Sequence, residues 1–180
     1  MNRLAIALTI SAALASTLAH AEAPDLSKVN GSLTAEAGKT YGDIDTVNGS
    51  ISVEEKAVAQ TVETVNGSIT IDPFARVGDV STVNGKILMR NGVAARSVET
   101  VNGSIVGVSN LRIEKGVEAV NGSIEIGASS LVGGNVETVN GAITLLAMKI
   151  GGNVETVNGN VTIGENSVVA GHLKVNKPKG

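Results

Sequence analysis

Cysteine and tryptophan are absent from this 180-residue chain, and tyrosine and phenylalanine occur once each, as Tyr41 and Phe74. Without cysteine there is no disulfide, no thiol catalysis and no lipidated cysteine anchor. Two aromatic side chains give no stacking platform for nucleobases, or for the sugar rings that many carbohydrate sites stack upon. The net charge is −3, which argues against nucleic acid as a partner. Histidine is nearly missing as well, with only His20 and His172. A Ser-His-Asp or histidine-metal arrangement therefore lacks its parts, and no catalytic residue or cofactor is expected.

No hydrophobic run is long enough to span a bilayer. The longest, Leu4 to Leu18, is uncharged over about 15 residues, against the roughly 20 that a spanning helix needs. It follows the basic start Asn2-Arg3 and precedes Ala19-His20-Ala21, the small-x-small pattern that signal peptidase cuts. Residues 1 to 21 are therefore expected to be an export signal, with the mature chain starting at Glu22 in the periplasm or outside the cell. Its removal takes away Arg3 and lowers the net charge to −4.

What the chain does have is a repeat. Asn30, Asn48, Asn66, Asn84, Asn102, Asn121, Asn140 and Asn158 each sit in a Val-Asn-Gly, 18 or 19 residues apart. Val175-Asn176 follows 18 later as a degenerate ninth unit. Four positions before each asparagine stand Leu26, Ile44, Val62, Val80, Val98, Val117, Val136 and Val154; three after stand Leu33, Ile51, Ile69, Ile87, Ile105, Ile124, Ile143 and Val161. Alternation with polar neighbours, as in Ser68-Ile69-Thr70-Ile71, is the signature of strands with one buried face. The β-branched content, the recurrent glycine and the missing 3.6-residue period exclude helices.

One 18-residue coil cannot bury its apolar face alone, but a stack can. The expected architecture is all-β, a single-stranded parallel β-helix (β-solenoid) of about eight coils over residues 22–176, with 177–180 as a short polar tail. At ~4.8 Å per coil the rod is about 38 Å long. The Asn-Gly pair is expected at a corner, because both residues tolerate positive φ, with the amides stacked as a hydrogen-bonded ladder. Two phasings fit. Strict alternation from Val62 places Thr64 and Asn66 inside and Val65 outside; the recurrence of valine before every asparagine suggests the reverse, with a bend at the threonine. Lys28 and Lys174 hold the threonine position in the first and last units.

Repeats such as Val62-Glu63-Thr64-Val65-Asn66-Gly67-Ser68-Ile69-Thr70-Ile71 and Gly152-Asn153-Val154-Glu155-Thr156-Val157-Asn158-Gly159 resemble the adhesin-type β-strand-repeat domain of bacterial exported proteins. The resemblance covers nearly all of residues 24 to 176. It implies a right-handed parallel β-solenoid and an exported, non-enzymatic protein. Bactofilins, the polymer-forming solenoids, are similar in coil length but cytoplasmic, and the export signal separates this chain from them.

Three surfaces could carry function. A carboxylate column three residues before the asparagine comprises Glu63, Glu99, Glu118, Glu137 and Glu155, with Asp45 in register. It reads either as a divalent-cation site, calcium by preference, or as a solvated stripe that keeps the rod apart from its neighbours; the lack of an Asp-rich calcium loop favours the stripe. Hydroxyls after the corner (Ser50 and Ser52, Ser68 and Thr70) could order water as ice-binding solenoids do, but Lys86, Leu88, Val106 and Glu125 interrupt them. The variable residues form a third side, expected to hold both one-residue insertions. Phe74, Val77, Val93, Leu111, Ile113, Leu131, Met148, Ile150 and Val168 lie there, most of them as core. The partner expected is an envelope or surface component, or self. Pro24 and Asp25 at one end, and Lys174, Lys177, Pro178 and Lys179 at the other, discourage strand pairing and favour discrete particles over filaments; neither end has a capping helix, and a self-polymerising, bactofilin-like envelope scaffold built end to end is the alternative.

Overall fold

The period-two pattern and the turn in each repeat produce strands only. In a computed structural model that describes residues Ala23–Asn176, every element is a β-strand and every strand pair is parallel. The export signal expected over residues 1–21 and the tail 177–180 lie outside the described residues. Each coil has three sides. The asparagine side consists of strands ending at the ladder residues, from Leu26–Asn30 and Thr40–Asn48 through Ser97–Asn102 to Val154–Asn158. The second side is an eight-stranded sheet running from Leu33–Ala35 to Val161–Ile163. The third side joins the asparagine side in one 14-stranded sheet. This is the β-solenoid of about eight turns that the repeat implies.

Register is set by the asparagines, since Asn30 pairs with Asn48, Asn48 with Asn66, and so on to Asn158. The aliphatic columns on both sides of the corner point inward, and Ile44, Val62, Val98, Ile69, Ile105 and Ile143 are fully buried. The phasing follows strict alternation as far as valine and breaks at asparagine. Thr46, Thr64, Thr82, Thr100, Thr138 and Thr156 are buried, while Val29, Val47 and Val157 are 66%, 40% and 37% exposed. Burial of valine would require the bend at threonine, and it occurs two residues later.

The corner glycine has a different reason from the expected one. Of the ladder glycines only Gly31 has a positive φ, of 118°. In Gly49, Gly67, Gly85, Gly103, Gly122, Gly141 and Gly159 a Cβ would lie closer than 3.0 Å to the carbonyl oxygen of the glycine one coil back. Glycine is required there by close approach of stacked backbones, not by a left-handed turn. The left-handed residues form a column at the opposite corner: Gly38, Lys56, Phe74, Gly92, Asn110, Ser129, Ala147 and Asn166 have φ between 48° and 75°.

Two further expectations are corrected. The additional residue does not fall on the third side but at the corner that leads from it to the asparagine side. Two residues turn that corner in the early coils (Gly42-Asp43, Gln60-Thr61, Gly78-Asp79, Arg96-Ser97); three turn it later (Glu114-Lys115-Gly116, Gly133-Gly134-Asn135, Gly151-Gly152-Asn153, Ala170-Gly171-His172). The 18-residue step from Asn140 to Asn158 arises because the coil between Leu145 and Ala147 is one residue shorter. The ninth unit is out of register because the long turn at Ala170–His172 is not offset by such a shortening. Leu173 pairs with Val154 and Lys174 with Glu155, so Asn176 does not extend the ladder and Lys174 does not occupy the threonine position. On the third side Val77, Val93, Leu111, Ile113, Met148 and Ile150 are core as expected, whereas Phe74, Leu131 and Val168 are exposed.

Candidate functional surface

The ladder begins with the asparagine side chain at the end of each strand. Nδ2 of Asn48 donates to Oδ1 of Asn30 at 2.9 Å, and the same bond repeats through Asn66, Asn84, Asn102, Asn121 and Asn140 to Asn158 at 2.8 or 2.9 Å. All seven bonds run the same way. The glycine N–H beyond each asparagine but the last donates to the asparagine carbonyl one coil on, as in Gly49 to Asn66 at 3.1 Å. The glycine carbonyl accepts from the buried threonine of the next coil, as in Thr64 to Gly49 at 2.9 Å and Thr138 to Gly122 at 2.9 Å. Sequence reasoning missed this threonine role. Its signal was a polar residue recurring at an inward-pointing position, which requires a buried acceptor. Ala119 stands in the column without a hydroxyl, opposite Thr100 and Thr138.

The outer face of this side carries two adjacent columns, valine next to asparagine and carboxylate beyond it. Strand pairing aligns Asp45 with Glu63, then Ser81 interrupts, and Glu99, Glu118, Glu137 and Glu155 continue in single file. Lys174 ends the file with an ion pair to Glu155 at 2.8 Å. Glu137 accepts from the Asn135 amide at 2.9 Å. Among the described residues Glu99, Glu118 and Glu137 form no ion pair. Burial, and then the charges of Glu99 and Glu137, push the Glu118 carboxyl above its usual range. Burial and then Asp43, with smaller contributions from Asp45 and Asp79, do the same to Glu63, against a hydrogen bond from Ser81. Asp79 is the opposite case, held below its usual range by hydrogen bonds from Arg96 and Ser97 despite its partial burial.

This geometry sets limits on the chemistry. Carboxylates in single file at ~4.8 Å intervals are spread along a line. No group of three or more histidine, aspartate or glutamate side chains suited to holding a metal ion occurs among the described residues. The hydroxyl rows of the second side are broken in register, where Thr70 faces Leu88, Leu88 faces Val106 and Val106 faces Glu125. His172 lies exposed at the last corner, where its main-chain N–H donates to Asn153 at 2.9 Å. No helix of the described residues is long and apolar enough to cross a membrane.

No family model, curated protein or solved structure matches the chain. The functional argument therefore rests on the surface itself. Its prominent feature is apolar: in all eight coils the residue before the ladder asparagine is a valine, and each faces outward rather than into the core.

Proposed function

We propose that this chain is an exported, non-enzymatic structural or surface-interaction module of the adhesin-like β-strand-repeat kind, and that the asparagine side is its contact surface. The outward valine column carries this reading. An outward valine in every coil, exposed at Val29, Val47 and Val157 and half-buried at Val65, Val83, Val101, Val120 and Val139, lies outside the core, and alternation would accept any polar strand-former there. A flat apolar stripe beside a carboxylate file is the kind of surface that engages an extended partner rather than a small substrate. The coil design supports the same reading. Connections between strands are four residues or shorter among the described residues, as in Glu36–Lys39, so no loop walls off a cleft.

Co-sedimentation of the purified mature chain with envelopes of its own cells tests the proposal. Wild type is expected to be retained. A Val101→Thr, Val120→Thr, Val139→Thr variant, which keeps shape and strand propensity but wets the stripe, is expected to stay in the supernatant. Equal retention of the two would overturn the assignment of the surface, and recovery of the protein only from the cytoplasm would overturn export.

A further inference from the structure

The partner of that surface is written on another side of the same rod. The outward residues of the third side pair in one column, Arg76 with Ala94, then Arg112, Leu131, Lys149 and Val168. Cations thus alternate with apolar residues at every second coil. Arg76, Arg112 and Lys149 are exposed and form no ion pair among the described residues. Leu131 and Val168 between and beyond them are 41% and 55% exposed. The asparagine side offers the complement, a file of carboxylates that is paired with a cation only at its end, where Lys174 meets Glu155, among the described residues, beside a file of valines.

We propose that copies of this chain pack side by side as parallel rods, the third side of one against the glutamate and valine columns of the next. Both surfaces repeat with the rise of the coil, so their ladders are commensurate along the whole contact. Rods level with one another bring Arg112 opposite Glu118 and Lys149 opposite Glu155, since each pair belongs to one coil. Leu131 and Val168 then lie against the valine stripe. Eight coils of ~4.8 Å and a third side about four residues wide define a footprint of roughly 500 Å² per copy, about 1,000 Å² in all. That area is at the lower end of specific interfaces, so the contact is weak and dependent on its charges. Because the two faces differ, each added copy leaves one of each kind open, so assembly passes beyond a dimer, into a ring or an open row. This inference rests on the asparagine side being a contact surface and identifies its occupant as a second copy.

Sedimentation velocity of the purified mature chain over a concentration series tests it, at ~0.02 M and ~1 M salt. At low salt the mean mass is expected to rise with concentration past two copies, and at high salt to return to one. An Arg112→Glu, Lys149→Glu variant and a Glu118→Lys, Glu155→Lys variant are each expected to remain single while keeping the β-sheet circular dichroism of wild type. Mixed together, they are expected to associate again through alternating copies. A wild type that stays single at every concentration, or that associates regardless of salt, overturns the inference; so does association that both reversed variants retain. If a reversed variant loses its β signal, the wild-type salt series and the milder Arg112→Gln, Lys149→Gln variant decide. A single-copy wild type that is still retained by envelopes overturns only the identity of the partner.

Discussion

The four coils before Asn102 and those after it share a corner but not a cross-section. In the first three of the early coils the third side and the asparagine side are one nine-residue strand, such as Val58–Asn66, bent at a two-residue turn, and in the fourth Arg96 alone separates Ala94–Ala95 from Ser97–Asn102. In the later coils they are two strands, such as Lys149–Ile150 and Val154–Asn158, separated by three glycine-rich residues. The core changes with the turn. The inward third-side residues are smaller on balance where the turn is short, with Ala57, Ala59, Ala75 and Ala95 beside Tyr41, Val77 and Val93, than where it is long, with Leu111, Ile113, Met148 and Ile150 beside Ser130 and Val132. A longer circumference encloses more volume, and larger side chains fill it. Once lengthened at Glu114, the turn stays long in every later coil, because each turn stacks on the one before. The Asn-Gly corner is the fixed joint of the coil and the opposite turn its adjustable one.

Core substitutions should break the symmetry between the halves most strongly. Ile113→Ala or Ile150→Ala, which leave a cavity in the wide half, are expected to destabilise by about 3 kcal/mol. Ala59→Ile, which overfills the narrow half, is expected to cost about 2 kcal/mol. Urea denaturation measures both, and a tolerated Ala59→Ile would mean that the early coils are not narrow. The shared corner should behave alike in both halves. Gly67→Ala and Gly141→Ala each drive a Cβ into a backbone carbonyl and are expected to cost about 2 kcal/mol or more. A difference above ~1 kcal/mol between them would show that the corner, too, has changed.

Ala119→Thr should repair the one interior gap in the threonine column. The new hydroxyl would donate to Gly103, as Thr138 does to Gly122, and is expected to stabilise by about 1 kcal/mol. Loss of stability would indicate that the first long turn leaves no room for it. The smallest effect concerns pH. A carboxyl whose folded pKa is raised binds its proton more readily folded than unfolded, so stability falls as pH rises from the unfolded value, about 4.3, through the folded one. Glu118→Gln is therefore expected to raise the melting temperature slightly near neutral pH and not near pH 4. Asp79, with its lowered value, has the opposite sign: its contribution is present above the unfolded value and is lost as pH falls through the folded one. Asp79→Asn should lower the melting temperature near neutral pH, and matching responses of the two variants would remove the electrostatic contrast between the two sites.

The period, the eight coils and the inward columns at Val62 and Ile69 were legible because each is a side chain repeated at a fixed distance from an asparagine. The direction of the valine was not, because the deciding event is a backbone bend that leaves no residue of its own. The threonine column was open to the argument that a buried hydroxyl needs an acceptor. The left-handed column was half written in Gly38, Gly92, Asn110 and Asn166, and hidden by Lys56, Phe74, Ser129 and Ala147. Asn176 misled because it follows Asn158 by 18 residues, although the long turn at Ala170–His172 makes that coil one of 19. Of the candidate surface, the carboxylates could be read directly, but their shared face with the valines depends on the phasing.

The amide ladder gives the rod one more property. Every asparagine between the first and the last gives one hydrogen bond and takes one, in the same direction, from a neighbour one coil away. Inner coils of the same turn length are interchangeable, and nothing in the ladder records how many there are. A gene slippage that duplicates one such repeat, Ile51 to Ser68 for example, would therefore insert a finished storey without disturbing the floors above or below.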